Sequence, residues 1–203
     1  HPLGAAAARN RMTALPHPLA VVRPNDRALA ERLRAEGISV LEYRGEETGM
    51  GFSLARGVTA TADADGWAIA LADMPFVPPA VIREVVSLVE GGEVLAAPQY
   101  REHRGHPVVF GSMFREALQA LGGDTGACEL VKEHCDRLRR VPAADNRVLL
   151  DIDTPSDLDP QARRGRPGGG ESSAPALLRT TSTPERFSKS HATSCSSRSA
   201  ASR

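Results

Sequence analysis

The sequence predicts an α/β protein with a mainly parallel sheet covered by helices, and three observations carry that prediction. Short apolar runs alternate with longer segments of helical period, the rhythm of βαβ units. The run Trp67-Ala68-Ile69-Ala70-Leu71-Ala72-Asp73-Met74-Pro75 reads as a strand buried on both faces, ending on a carboxylate and then a proline. The 203 residues, 41% hydrophobic and 25% charged, have the size and balance of one soluble globular domain.

Taken in order, residues 5–15 are Ala-rich and helical by propensity, with Pro16 and Pro18 ending them. Leu19-Ala20-Val21-Val22 is a short strand. Asp26 then caps a helix through Glu36 that buries Ala30, Leu33 and Leu29, and Gly37 stops it. Ile38 to Tyr43 is the next strand. A loop rich in glycine and acid, residues 45–51, precedes a helix led by Ser53 and running to about Ala62. The central strand should stop just past Asp73, because Pro75 cannot extend a ladder and biases Met74 toward an extended backbone. Pro78-Pro79 open a helix to Glu90 with Val81, Ile82, Val85, Val86 and Val89 as its apolar stripe.

Val94 to Pro98 and Val108 to Phe110 are strands flanking the polar loop Arg101 to Pro107, which contains two His and two Arg. Ser112 to Leu121 is an amphipathic helix, Gly122 to Gly126 a turn, and Ala127 to Asp136 another helix. On that helix Cys128 and Cys135 would share a face as core or boundary residues. Arg139 to Val141 and Val148 to Ile152 are further strands. The second runs into Asp151-Ile152-Asp153-Thr154-Pro155-Ser156-Asp157, where Thr154 and Pro155 begin a helix. From Gln161 the chain turns to Arg, Gly, Pro, Ser and Thr without hydrophobic period. The expected division is therefore a folded unit over 1–160 and a low-complexity, disordered tail over 161–203.

Two places attract chemistry on position alone. A carboxylate at the end of a central parallel strand lies where open α/β sheets put their ligands, so Asp73 either binds a metal or phosphate there or caps the following turn. Gly49 and Gly51 would let backbone N–H groups approach a ligand, with Ser53 capping the helix or touching that ligand; a simple tight turn explains the same residues. The polar loop around Arg104 and His106 either grips an anion or is an exposed hairpin rim.

Charge is unevenly spread. Residues 161–203 hold seven Arg and one Lys against two Glu, a net +6, which leaves −6 on the first 160 residues of a formally neutral chain. An acidic body argues against a nucleic-acid partner and suits recruitment of divalent cations. Cys128, Cys135 and Cys195 form no CxxC pair, so neither a zinc site nor a disulfide framework is expected, and a reduced, cytoplasmic setting follows. No run approaches the length of a membrane span, and none has the apolar core of a signal peptide. The opening His1-Pro2-Leu3-Gly4 reads as the middle of a longer chain, so an N-terminal truncation is expected.

Leu71-Ala72-Asp73-Met74-Pro75, Arg104-Gly105-His106-Pro107, Gly123-Asp124-Thr125-Gly126-Ala127 and Asp151 to Leu158, in this order and spacing, resemble the MobA-like nucleotidyltransferases. The closest branch is that of the molybdenum cofactor cytidylyltransferases. The resemblance covers roughly residues 1–159. It implies a GT-A-like, Rossmann-related three-layer sandwich that moves a nucleoside monophosphate, CMP from CTP, onto a phosphorylated acceptor such as molybdopterin, with release of pyrophosphate. It also implies Mg²⁺ held by Asp73 and Asp153, with Asp151 as a further or outer ligand. Gly49, Met50, Gly51, Ser53 and Ala72 would meet the nucleotide. Arg104, Gly105 and His106 would face the acceptor, and a molybdoenzyme would receive the product.

The sequence departs from that pattern in two ways. The family's opening signature, a strand and Gly-rich loop of the type LAAGxSxRMG with a downstream Lys, is absent, so this chain is expected to bind NTP poorly and turn over little. Cys128 stands where similar proteins tend to have Arg. Two other readings follow the same residues: a relative using GTP or acting on a sugar or phospholactate acceptor, and a non-catalytic chaperone that holds cofactor for a molybdoenzyme.

Overall fold

A computed structural model describes residues 14–15, 18–23, 26–43, 49–89, 92 and 94–152, and the backbone of 175–180. Strand β1 is Pro18–Val22. Helix α1, Arg27–Ala35, begins where the Asp26 carboxylate accepts from the Leu29 N–H at 3.4 Å, and ends before Gly37 at φ +81°. Its inner face buries Ala30 and Leu33, with Leu29 packed beside them. Strand β2 is Ser39–Glu42. Helix α2, Met50–Ala60, starts three residues ahead of Ser53, after Gly49 has turned the chain at φ +121°. Strand β3 is Gly66–Leu71 and α3 is Pro79–Val86, followed by a 3₁₀ turn Ser87–Val89. Strands β4, β5 and β6 are Leu95–Tyr100, His103–Arg104 and Val108–Gly111. A 3₁₀ turn leads into α4, Arg115–Gln119; α5 is Cys128–Glu133, β7 is Leu138–Pro142 and β8 is Pro175–Thr180.

The sheet runs β2-β1-β8-β3-β6-β4, with β5 on the end of β4 and β7 also paired to β4. Strands β1, β2, β3, β4 and β7 share one direction, and β5, β6 and β8 oppose it. The α/β class is the one that the alternating pattern predicts; the sheet is mixed, since five strands share a direction but only β1–β2 and β4–β7 pair in parallel and the other five pairings are antiparallel. Side chains alternate across β3 as a pleated strand demands. Trp67 and Ile69 join Leu54 and Val58 of α2, Leu118 of α4 and Leu130 of α5 on one face. Ala68 and Ala70 join Ile82 and Val85 of α3 on the other. Three layers result, and large buried side chains such as Trp67, Phe110 and Leu54 each contribute about 1.5–3 kcal/mol by leaving water. Strand β1 and α1 enclose a smaller core of Ala20, Val22, Ala30, Leu33 and Ile38.

Several elements differ from expectation for local reasons. Strand β3 stops at Leu71 rather than past Asp73, because the Met74 N–H turns back to the Leu71 carbonyl at 3.3 Å. Val148 to Ile152 is not a strand: Asn146–Leu149 is a 3₁₀ turn, capped by Asp145 accepting from the Arg147 N–H, and residues 150–152 join no ladder. The helix expected from Ala127 to Asp136 ends at Glu133, and both Cys128 and Cys135 are exposed rather than core. The helix over 5–13 and the one beginning at Thr154 lie outside the described residues, and Ala14 and Leu15 form a buried turn. Within 161–203, composition predicts no element, yet Pro175–Thr180 is a strand between β1 and β3; the rest of that stretch lies outside the described residues.

Candidate active site

Asp73 lies two residues beyond the carboxyl end of β3, in the turn that Met74 closes. It is 9% exposed, and its Oδ1 atom is buried without a hydrogen-bond partner. A carboxylate oxygen taken out of water and left unpaired is costly, so it marks a position built for something other than packing. A divalent cation is the group whose charge would compensate it. Mg²⁺ or Mn²⁺ takes one or two carboxylates and completes its shell with phosphate oxygens and water. No cluster of three or more His, Cys, Asp or Glu side chains with metal-site geometry occurs among the described residues. The Asp73 carboxylate, with its buried and unpartnered Oδ1, fits a metal that arrives with phosphates.

The backbone joins Asp73 to the second acidic segment. The Ile152 N–H donates to the Asp73 carbonyl at 3.0 Å, so Asp151, half-buried, is the neighbour of a residue bonded to Asp73. Asp153 lies outside the described residues. At its other end the same segment is tied to the polar loop, because the His106 N–H donates to the Val148 carbonyl at 3.0 Å. Gly105 makes that approach possible: a Cβ there would lie 2.5 Å from the Val148 carbonyl and 2.8 Å from its Cβ. The Gly105 N–H donates to the Pro98 carbonyl at 2.7 Å, and the His106–Pro107 bond is cis. Gly105 thus serves contact with Val148 in addition to any approach of an acceptor.

Gly49 and Gly51 meet protein backbone. A Cβ on Gly49 would lie 2.2 Å from the Gly123 carbonyl oxygen, and one on Gly51 2.3 Å from that of Thr125. The Gly51 N–H donates to Gly123 at 2.9 Å, and Met50 lies against Gly126, whose Cβ would fall 3.0 Å from its sulfur. Ser53 is buried in the first turn of α2; it donates to the Gly49 carbonyl at 3.1 Å and stands 3.4 Å from the Tyr43 hydroxyl. It does not cap the helix, whose first residue precedes it. Ala72 sits in the turn between β3 and Asp73.

The candidate residues are linked by contacts along one rim. The Gly49–Gly51 turn packs on Gly123 and Thr125. Cys128, two residues past Gly126, accepts weakly at 3.8 Å from the Arg104 guanidinium, and Arg104 adjoins Gly105 and His106. Val148 to Ile152 carries the connection on to Asp73. Sequence reasoning did not assign Tyr43 or Val148 to this assembly. Two Gly-rich turns at 49–51 and 122–126 were a visible signal that two backbones meet; Val148 gave none. Beside this strap the Asp145 carboxylate accepts from the Arg147 Nε at 2.9 Å on each of its oxygens and from Nη2 at 2.7 Å on Oδ2. That hydrogen bonding holds the Asp145 carboxyl below the usual carboxylate range, against a smaller opposing effect of burial.

Among solved structures, the chain is similar to Rv0371c from Mycobacterium tuberculosis H37Rv at 24% identity, covering 76% of this chain and 80% of that one with a TM-score of 0.66. The same mycobacterial protein in complex with manganese aligns at a TM-score of 0.63, again at 24% identity, over 76% and 83% of the two chains. A nucleotidyl transferase from Methanothermobacter thermautotroptrophicus aligns at 21% identity over 76% of each chain, with a TM-score of 0.60. At these identities the likeness establishes the fold. No curated protein matches the chain. The family model for the MobA-like NTP transferase domain, however, matches residues 2–139, well over half of the sequence, and the chain belongs to that family.

Proposed function

We propose that this protein is a metal-dependent nucleotidyltransferase that moves CMP from CTP onto a phosphorylated small molecule of the molybdopterin type. The buried, unpartnered Oδ1 of Asp73 at the sheet's carboxyl edge carries this reading. Family membership supports NTP as donor, and the manganese complex of the mycobacterial relative supports a divalent cation. The choice of CTP rests on the resemblance of Gly49-Met50-Gly51 and Ser53 to a cytidylyltransferase base loop.

In the reaction a phosphate oxygen of the acceptor attacks the α-phosphorus of the NTP. A new P–O bond forms, the bond to the β-phosphate oxygen breaks, and pyrophosphate leaves. Mg²⁺ or Mn²⁺, when bound, supplies positive charge that lets two anions meet. Asp73, with Asp151 or Asp153 from the segment bonded to it, would hold that ion. Arg104, half-buried and adjoining the tied-down Gly105 and His106, would pair with the acceptor phosphate. The Gly49–Gly51 turn and Ser53 would bound the base. A molybdoenzyme is the recipient this product chemistry suggests.

The test is turnover with Mn²⁺ or Mg²⁺ across CTP, GTP, ATP and UTP, with molybdopterin as acceptor. Turnover of this chain is expected to be low without the family's Gly-rich opening loop, and Asp73→Asn should abolish the pyrophosphate release that remains while the variant still folds. Unchanged turnover would remove Asp73 from the mechanism, and preference for GTP would replace CTP as donor.

A further inference from the structure

Tyr43 is the residue just past β2, whose last position is Glu42. Strand β2 pairs parallel with β1, and β1 and β3 both run against β8, so Tyr43 stands at the same edge of the sheet as Asp73. It is 8% exposed, yet among the described residues it belongs to none of the three apolar cores, unlike the buried rings of Trp67, Phe110 and Phe114. Its hydroxyl instead stands 3.4 Å from the Ser53 Oγ in the first turn of α2.

The direction of that contact follows from counting protons. A serine hydroxyl has one proton to give, and a carbonyl can only accept. The Ser53 Oγ lies 3.1 Å from the Gly49 carbonyl, the shorter of its two contacts, so its proton goes there. Toward Tyr43 the Ser53 oxygen accepts, and the Tyr43 O–H donates. The Gly49 end of this relay is held by backbone, since the same carbonyl also takes the Ser53 N–H at 3.3 Å. With its proton turned to Ser53, the Tyr43 oxygen keeps lone pairs alone. It can pair with a donor and is repelled by an acceptor.

Cytosine presents an amino group, N4–H₂, where uracil presents the O4 acceptor. We propose that Tyr43 is a specificity-determining residue of the nucleotide site, accepting a hydrogen bond from the exocyclic amine of cytosine and rejecting uracil. This rests on the proposed reading in which Ser53 bounds the base: a base bounded by Ser53 is within reach of an oxygen 3.4 Å from its hydroxyl. The neighbouring glycines have no side chain to do this, because their Cβ positions are filled by the backbone of residues 122–125. They shape the pocket, and Tyr43 reads what enters it.

The experiment is equilibrium binding of CTP and UTP with Mn²⁺, titrated into the millimolar range, to the full chain and to its Tyr43→Phe and Ser53→Ala variants, with folding followed by circular dichroism. The parent should bind CTP about 10-fold more tightly than UTP, the effect of one hydrogen bond made against one refused. Tyr43→Phe keeps the ring and should bring the two affinities within about twofold of each other, chiefly by weakening CTP. Ser53→Ala frees the Tyr43 proton to turn toward the base, so it should strengthen UTP relative to CTP. A hydroxyl that only supports the fold would weaken both nucleotides alike, and that result overturns the proposal. The CTP analogue lacking the exocyclic amine probes the same bond without touching the protein; if the parent binds it as tightly as CTP, the proposal falls even where Tyr43→Phe does not fold. Equal binding of CTP and UTP by the parent overturns the role of Tyr43 and leaves the nucleotidyltransferase reading standing. No saturable binding of either nucleotide overturns both.

Discussion

The Ile152 N–H donates to the Asp73 carbonyl at 3.0 Å, while a buried oxygen of the Asp73 side chain has no partner at all. The backbone of this residue is secured and its charge is not. A side chain left so is expected to trade stability for function. Asp73→Asn removes the buried charge and keeps the shape, so without divalent cation it should be more stable than the parent by about 1 kcal/mol. Adding Mn²⁺ with CTP in large excess, enough to offset the weak NTP binding expected of this chain, should raise the melting temperature of the parent and leave that of the variant unmoved. A variant less stable than the parent in chelator would show that the carboxylate is paired in solution.

Gly51 is a second place where geometry makes a sharp claim. Its missing Cβ would sit 2.3 Å from the Thr125 carbonyl oxygen and 2.8 Å from that of Gly122, both backbone and both unable to swing away. Gly51→Ala must push the 122–126 turn off α2 and break the Gly51 N–H bond to Gly123. The expected cost is about 2–3 kcal/mol, as for overpacking a closed contact. Gly123→Ala meets nothing within 4 Å and suffers only its φ of +55°, so it should cost about 1 kcal/mol. Urea midpoints of the two variants in that order check the claim; the reverse order would mean that the two turns do not pack.

How far the sequence made this legible depends on the kind of signal. Strand β3 was readable because a run from Trp67 to Leu71 without polar residues has one economical home, between two covered faces. The α1 boundaries were readable because Asp26 and Gly37 are local devices that need no partner elsewhere. Val148 to Ile152 was misread because an apolar run of that length has the same pattern whether it pairs in a ladder or is held by single bonds to Gly105's neighbour His106 and to Asp73. The exposure of Cys128 and Cys135 was hidden for a similar reason: seven-residue spacing implies one face only if the helix lasts, and it ends at Glu133. Strand β8 gave no period of its own, since a strand inserted between two others draws its order from their unpaired edges. Of the candidate site, the carboxylates and the loop at Arg104 were legible as residue types at turns, whereas the contacts joining them are long-range backbone bonds that no local pattern encodes.

Trp67 is the chain's single tryptophan and is fully buried. Its indole N–H donates at 3.0 Å to the Thr61 hydroxyl, which itself donates to the Gly57 carbonyl at 2.9 Å. Thr61→Val keeps the volume and strands the indole N–H in the core. It should cost about 1–3 kcal/mol, and the double variant with Trp67→Phe should cost less than the sum of the two single changes. Chemical denaturation followed by circular dichroism measures all three. Strict additivity would mean that the indole and the hydroxyl do not interact.

The Arg147 guanidinium, bonded through Nε and Nη2 to Asp145, lowers the folded-state pKa of that carboxyl below its unfolded value near 3.8. A lowered folded pKa means that the unfolded chain binds the proton first. The pair's contribution is then complete at neutral pH and is lost as pH falls through the unfolded value and on past the folded one. Asp145 is more than a third exposed, so water and salt screen the pair, and its worth is held to about 0.5–1 kcal/mol. Because Asp145 also caps the 3₁₀ turn that leads to Ile152, Asp145→Asn should flatten the acid limb of the stability curve below about pH 4 without shifting its neutral side by more than about 1 kcal/mol. Chemical denaturation of parent and variant from pH 3 to pH 7 reads this difference, and parallel curves across that range would show that the pair does not form in solution.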